Sequence, residues 1–174
     1  MAKVTFSSLG LKLNQEIKTI LVKGKNIEVK QYLPIQDKLE IVSNVSNSSQ
    51  DGNNFKNMVK VEMFTDLEII NHYTNLTFTE KQKEEPWKIY DVLKQAGIIK
   101  QVKEAIPEEE LESLEMYIND ATERIYTYRN SAYGILDAIG SDYSNLELDA
   151  DNLKNEILND ENVGLIKDIL TKLG

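Results

Sequence analysis

From Pro107 to Ile139 the chain repeats apolar residues at a spacing that restricts its fold more than any other feature. Leu111, Leu114, Ile118, Ala121, Ile125, Tyr128, Ala132, Ile135 and Ile139 follow one another at intervals of three and four. This is a heptad stripe, and it predicts one continuous helix over about 107–139. Pro107 suits the start of a helix, and Glu108, Glu109 and Glu110 place carboxylates at the positive end of its dipole. At roughly 1.5 Å of rise per residue, such a helix is about 48 Å long. Its stripe has two ways to leave water. It forms the backbone of an intramolecular bundle with the shorter helices around it, or part of it pairs with a second copy or another protein.

The rest of the chain predicts a mainly α protein with a small β head. Val4-Thr5-Phe6 reads as a short extended piece. Ile17–Val22 and Ile27–Leu33 are β-branched runs around Lys23-Gly24-Lys25-Asn26, the composition of a hairpin turn. From Pro34 the period changes to helical, with Ile35, Leu39, Val42 and Val45 on one face. Residues 46–54 read as a polar loop. A second helix is expected over about 57–73, with Val59, Met63, Leu67 and Ile70 at helical spacing. Thr79 caps a short segment, and Pro86 opens a helix in which Trp87 is expected to be a core anchor beside Tyr90 and Leu93. Gly97 stops that helix, and residues 98–106 form another. Gly140 is expected to end the long helix, followed by a loop over 141–147 and two short amphipathic helices. The organisation is thus a β-rich element at 1–33, a helical core at 34–140 and a C-terminal helical hairpin at 141–174.

Charge narrows the function classes. The formal net charge is −9, distributed as +4 over residues 1–33 and −6 over residues 107–139. A chain this acidic is unsuited to neutralising nucleic-acid phosphates or docking on an anionic membrane. The basic head and acidic second half either complement each other within the molecule or meet different partners. No cysteine occurs, which suits a reducing compartment, and no signal-peptide core or membrane-length apolar run is present.

Catalytic and ligand motifs are missing in kind. Nucleophilic catalysis needs a base beside Ser or Cys, and the one histidine, His72, stands in no such context. A metal site needs more ligands of the His and Cys type than one His supplies. The eight glycines are scattered, so no phosphate loop forms. The chain is therefore expected to be no enzyme and to carry no cofactor. The side chains expected to face a protein partner flank the heptad stripe: Tyr117, Arg124, Tyr126, Arg129 and Tyr133.

Several stretches together carry a resemblance. They are Ile27-Glu-Val-Lys-Gln-Tyr-Leu33 running into Pro34-Ile-Gln-Asp-Lys38, Leu67-Glu-Ile-Ile-Asn-His-Tyr-Thr-Asn-Leu-Thr-Phe-Thr79, Ile89-Tyr-Asp-Val-Leu93, Ala105-Ile-Pro-Glu108 and Tyr128-Arg-Asn-Ser131. Over roughly residues 3–140 the chain resembles small morphogenesis proteins of bacteriophages and prophages of low-GC bacteria. Its layout is most similar to a tail assembly chaperone. That resemblance implies binding to the tail tape-measure and tail-tube proteins in the host cytoplasm, and it implies no catalytic residues. Two other assignments share the pattern. One is a virion component, such as a head–tail connector, neck or capsid-associated protein, held by neighbouring virion subunits or as a homo-oligomer. The other is a small phage-encoded inhibitor of a host protein.

Overall fold

A computed structural model describes residues 3–50 and 56–145. The chain is mainly helical, with a two-stranded antiparallel sheet before the helices. It divides into two compact units, one ending at Tyr128 and the other beginning at Arg129.

In the first unit, β1 (Ile17–Val22) pairs with β2 (Lys25–Lys30) across a turn at Lys23 and Gly24. Both turn residues have positive φ, 48° and 77°. That is the backbone that a tight hairpin with right-handed strand twist requires. The register sets Ile20 opposite Ile27 and Lys18 opposite Val29. Ile27 and Val29 are buried on this face, while Ile17, Thr19 and Leu21 on the other face lie in solvent. The free edge of β2 is closed by Asn75. Its backbone N–H donates to the Glu28 carbonyl at 3.3 Å, and its side-chain oxygen accepts from the Glu28 N–H at 3.1 Å.

The helices are α1 (Ile35–Ser48), α2 (Met58–Tyr73), α3 (Glu80–Lys83), α4 (Pro86–Gln95), α5 (Ile98–Ala105) and α6 (Glu108–Arg129). Their ends follow from local chemistry. The Asn57 side chain accepts from the N–H groups of Val59 and Lys60, Thr79 and Gln82 form a capping box, and Gly97 terminates α4 at φ 69°. The core joins the hairpin to these helices through Val29, Leu33, Ile41, Ile70, Val102 and Leu114.

Several expectations are corrected. Of the extended piece expected at 4–6, Thr5 is extended but Phe6 opens a 3₁₀ turn, Phe6–Leu9. On α1 the buried face is Lys38, Ile41, Val45 and Ser46, while Ile35 and Leu39 are exposed. The face is turned because Lys38 has a buried partner, described below. Trp87 is 54% exposed, and Tyr90 and Leu93 take the core positions of α4.

The fourth correction concerns the long helix. It is two helices, α6 and α7 (Ala132–Asn145), separated by Asn130 and Ser131. Ser131 starts α7: its hydroxyl accepts from the Gly134 N–H at 3.1 Å and its carbonyl accepts from the Ile135 N–H at 3.0 Å. Asn and Ser compete for backbone hydrogen bonds and so favour helix starts over helix interiors. An apolar repeat does not register that competition. In the second unit, α7 runs through Gly140, because an interior glycine costs a helix only about 1 kcal/mol. The loop expected from 141 is therefore helical as far as Asn145. The rest of the expected C-terminal hairpin lies outside the described residues.

Candidate interaction site

The buried residues of α6 are Glu110, Leu114, Ile118 and Thr122, each four residues from the last. Burial thus follows an i, i+4 row. Such a row winds around the helix and suits packing at a crossing angle, unlike a heptad seam that runs straight along a partner. Its first member is a carboxylate. Glu110 Oε1 accepts from the Leu33 N–H at 3.0 Å and from the Tyr73 hydroxyl at 2.9 Å, and Oε2 accepts from Lys38 Nζ at 2.8 Å. Lys38 also lies 4.4 Å from the centre of the Tyr32 ring. One carboxylate therefore ties the end of the hairpin, α1 and α2 to the start of α6. Burial, and then the Glu110 hydrogen bond, hold the Tyr73 pKa far above the ordinary phenol range, so its hydroxyl stays a donor.

A second polar cluster opens to solvent between α2, α5 and α6. Lys103 Nζ lies 3.3 Å from Asp66 Oδ1 and 3.0 Å from Glu115 Oε1. Together with Val61, Thr65 and Ile118 these residues line a cleft of 300 Å³. Burial pushes the Asp66 pKa up against the pull of Lys103. Burial also works against the Lys103 ammonium, but the Glu115 hydrogen bond and the Asp66 charge outweigh it, and its pKa stands above the ordinary value. A lysine becomes a nucleophile when its pKa falls toward neutrality. Lys103 is shifted the other way, and the cluster serves to hold charge in place. Beside it, Lys94 Nζ meets Glu62 Oε1 at 2.6 Å, with the Tyr90 hydroxyl completing the group. Among the described residues no group of three or more His, Cys, Asp or Glu could hold a metal ion.

His72, near the end of α2, carries a third contact. Its Nε2 lies 3.2 Å from Glu68 Oε2. That hydrogen bond is the largest cause of a raised His72 pKa. Burial opposes it, and the charges of Glu68, Glu40 and Asp37 add to it. Because the folded pKa exceeds the unfolded one, the stabilisation is full below the ordinary histidine value. It is lost as pH rises through the raised one. His72 is the single histidine, so it is the side chain whose ordinary titration falls in this window. Urea unfolding between pH 5 and 8 should therefore show stability falling with pH, and His72→Gln should flatten the curve.

The side chains expected to form the interface are dispersed. On α6, Tyr117 and Arg124 are exposed and stand seven residues apart, two turns along the same face. Arg124 Nε is 2.8 Å from Asp120 Oδ2. Tyr126 is half-buried and lies on the opposite side of the helix. Arg129 and Tyr133 belong to the second unit, where Arg129 is exposed and Tyr133 is 80% exposed. Ile135 and Leu136 on α7 are exposed as well. Sequence reasoning missed Glu110, Lys38 and Tyr73. The one available signal was that Glu110 stands in register with Leu114 and Ile118 at intervals of four.

Comparison with protein-family models, with curated proteins and with solved structures finds no match for this chain. Among the described residues no helix is long and apolar enough to cross a membrane.

Proposed function

We propose that this protein is a non-catalytic binding protein of bacteriophage assembly, acting as a tail assembly chaperone toward the tape-measure and tail-tube proteins. The observation that supports the reading is the exposed apolar surface of α7, where Tyr133, Ile135 and Leu136 are large, apolar or aromatic and exposed. Exposed apolar surface of this kind marks a protein-binding face. A virion component is the second reading, favoured by the exposed apolar residues at the N-terminal end of the chain.

Pull-down from infected or lysogenic cells, read together with the protein content of purified virions, tests the proposal. A chaperone co-purifies with the tape-measure or tail-tube protein and is missing from mature particles. Stoichiometric presence in virions would favour the second reading instead. Reversing Arg124 and Arg129 to Glu should leave the circular dichroism spectrum unchanged and weaken capture of the partner by about tenfold or more. Unchanged capture would remove these two arginines from the interface.

A further inference from the structure

Every residue from Lys3 to Glu16 is exposed, yet the segment carries Val4, Phe6, Leu9, Leu11 and Leu13. It has a defined backbone, with the 3₁₀ turn at Phe6–Leu9 closed by Gly10 at φ 61°. Its charges are Lys3, Lys12 and, at its end, Glu16, a net +1. This is a weakly basic arm with exposed apolar side chains.

A complementary groove of 720 Å³ lies between α5 and α6. Ile99, Ile106 and Leu111 line it, and Glu108 and Glu112 stand on its α6 side. Its lysines are already engaged: Lys94 with Glu62, Lys103 with Asp66 and Glu115, and Lys100 with Glu104. Glu108 and Glu112 are exposed and have no ion pair among the described residues, and so the charge left uncompensated is negative. An acidic rim over apolar side chains fits a basic apolar segment.

We propose that the arm of residues 3–16 of one copy seats in the α5–α6 groove of a second copy, so that the protein associates head to tail. The two surfaces are different patches of one chain, so the contact is heterologous and closes into a ring or continues as a filament. Fully extended, an arm of this length would span at most about 45 Å, and the turn at Phe6–Leu9 shortens that reach. The net positive, apolar arm is paired with the acidic, apolar groove, and disulfide cross-linking separates seating in a second copy from seating within one chain.

Sedimentation velocity of the full chain from micromolar to millimolar concentration should show self-association that weakens at high salt. The variant L9S/L11S/L13S should associate about tenfold less or worse, with an unchanged circular dichroism spectrum. The lack of cysteine allows a direct check of the seat. Chains carrying L11C, mixed with chains carrying E112C and treated with an oxidant, should give a disulfide-linked heterodimer. Three results would overturn the proposal: no association of the native chain at any concentration, association that survives the triple serine variant, or a double variant L11C/E112C that closes the bridge within one chain. None of these bears on whether the tail proteins are captured, so the two proposals fail separately.

Discussion

Replacing Glu110 with alanine is expected to cost about 3–5 kcal/mol of folding stability, the range for breaking one side of a buried ion pair. The loss has three sources. Lys38, whose side chain is 8% exposed, would keep a charge with no counter-ion. The Tyr73 hydroxyl and the Leu33 N–H would each lose the acceptor they use. Each buried donor left unsatisfied costs about 1–3 kcal/mol, and the contributions overlap because the same carboxylate serves all three. Urea denaturation followed by circular dichroism measures the change. A double variant, Lys38→Met with Glu110→Leu, should recover most of it, because removing both charges also removes the desolvation cost. A loss below about 1 kcal/mol for Glu110→Ala would mean that the carboxylate is solvated and that the hairpin is held by apolar contacts alone.

Ile118→Asp should abolish cooperative folding, whereas Ile125→Asp should fold. Both isoleucines belong to the heptad stripe. Ile118 is 1% exposed, a member of the core cluster that also lines the cleft of Asp66, Lys103 and Glu115, and Ile125 is half-buried. Aspartate at 118 would bury a carboxylate against apolar neighbours, next to a lysine that two carboxylates already share, a loss of more than about 4 kcal/mol. At 125 the carboxylate has water within reach. Thermal unfolding of the two variants separates the alternatives. Equal damage at both sites would mean that the 3-4 stripe is the buried seam, and damage at 118 alone means that the i, i+4 row is.

Much of the local structure was legible in the residues themselves. The hairpin at 17–30 follows from alternation around Lys23-Gly24. The starts and stops at Asn57, Thr79, Pro86 and Gly97 follow from side chains acting on the backbone within a few residues. Facing was less legible. Ile35 and Leu39 satisfy helical spacing but lie in solvent, and the lysine between them is buried. Trp87, the largest apolar side chain, also stays outside. In each case the apolar residues on a helix outnumber the positions its neighbours can cover, and periodicity alone does not rank them.

The candidate site shows the same division. A row of glutamates after Pro107 reads as a helix start, and Glu108 and Glu109 behave as one, exposed at the first turn. Glu110 differs because Lys38, Tyr73 and the Leu33 N–H converge on it from residues 72, 37 and 77 positions away. No window of sequence contains those partners together.

By itself the sequence determined that this chain would be mainly helical, that a small hairpin would precede the helices, and where most elements begin and end. It did so because capping, turn and strand preferences act over a few residues. The break between α6 and α7 is local too, set by Asn130 and Ser131, although the apolar repeat does not register it. Only the tertiary structure decided that burial follows Glu110, Leu114, Ile118 and Thr122, and that the apolar residues of the N-terminal arm are exposed. The reason is physical: which face is buried depends on which surfaces are brought together by segments far apart in the chain.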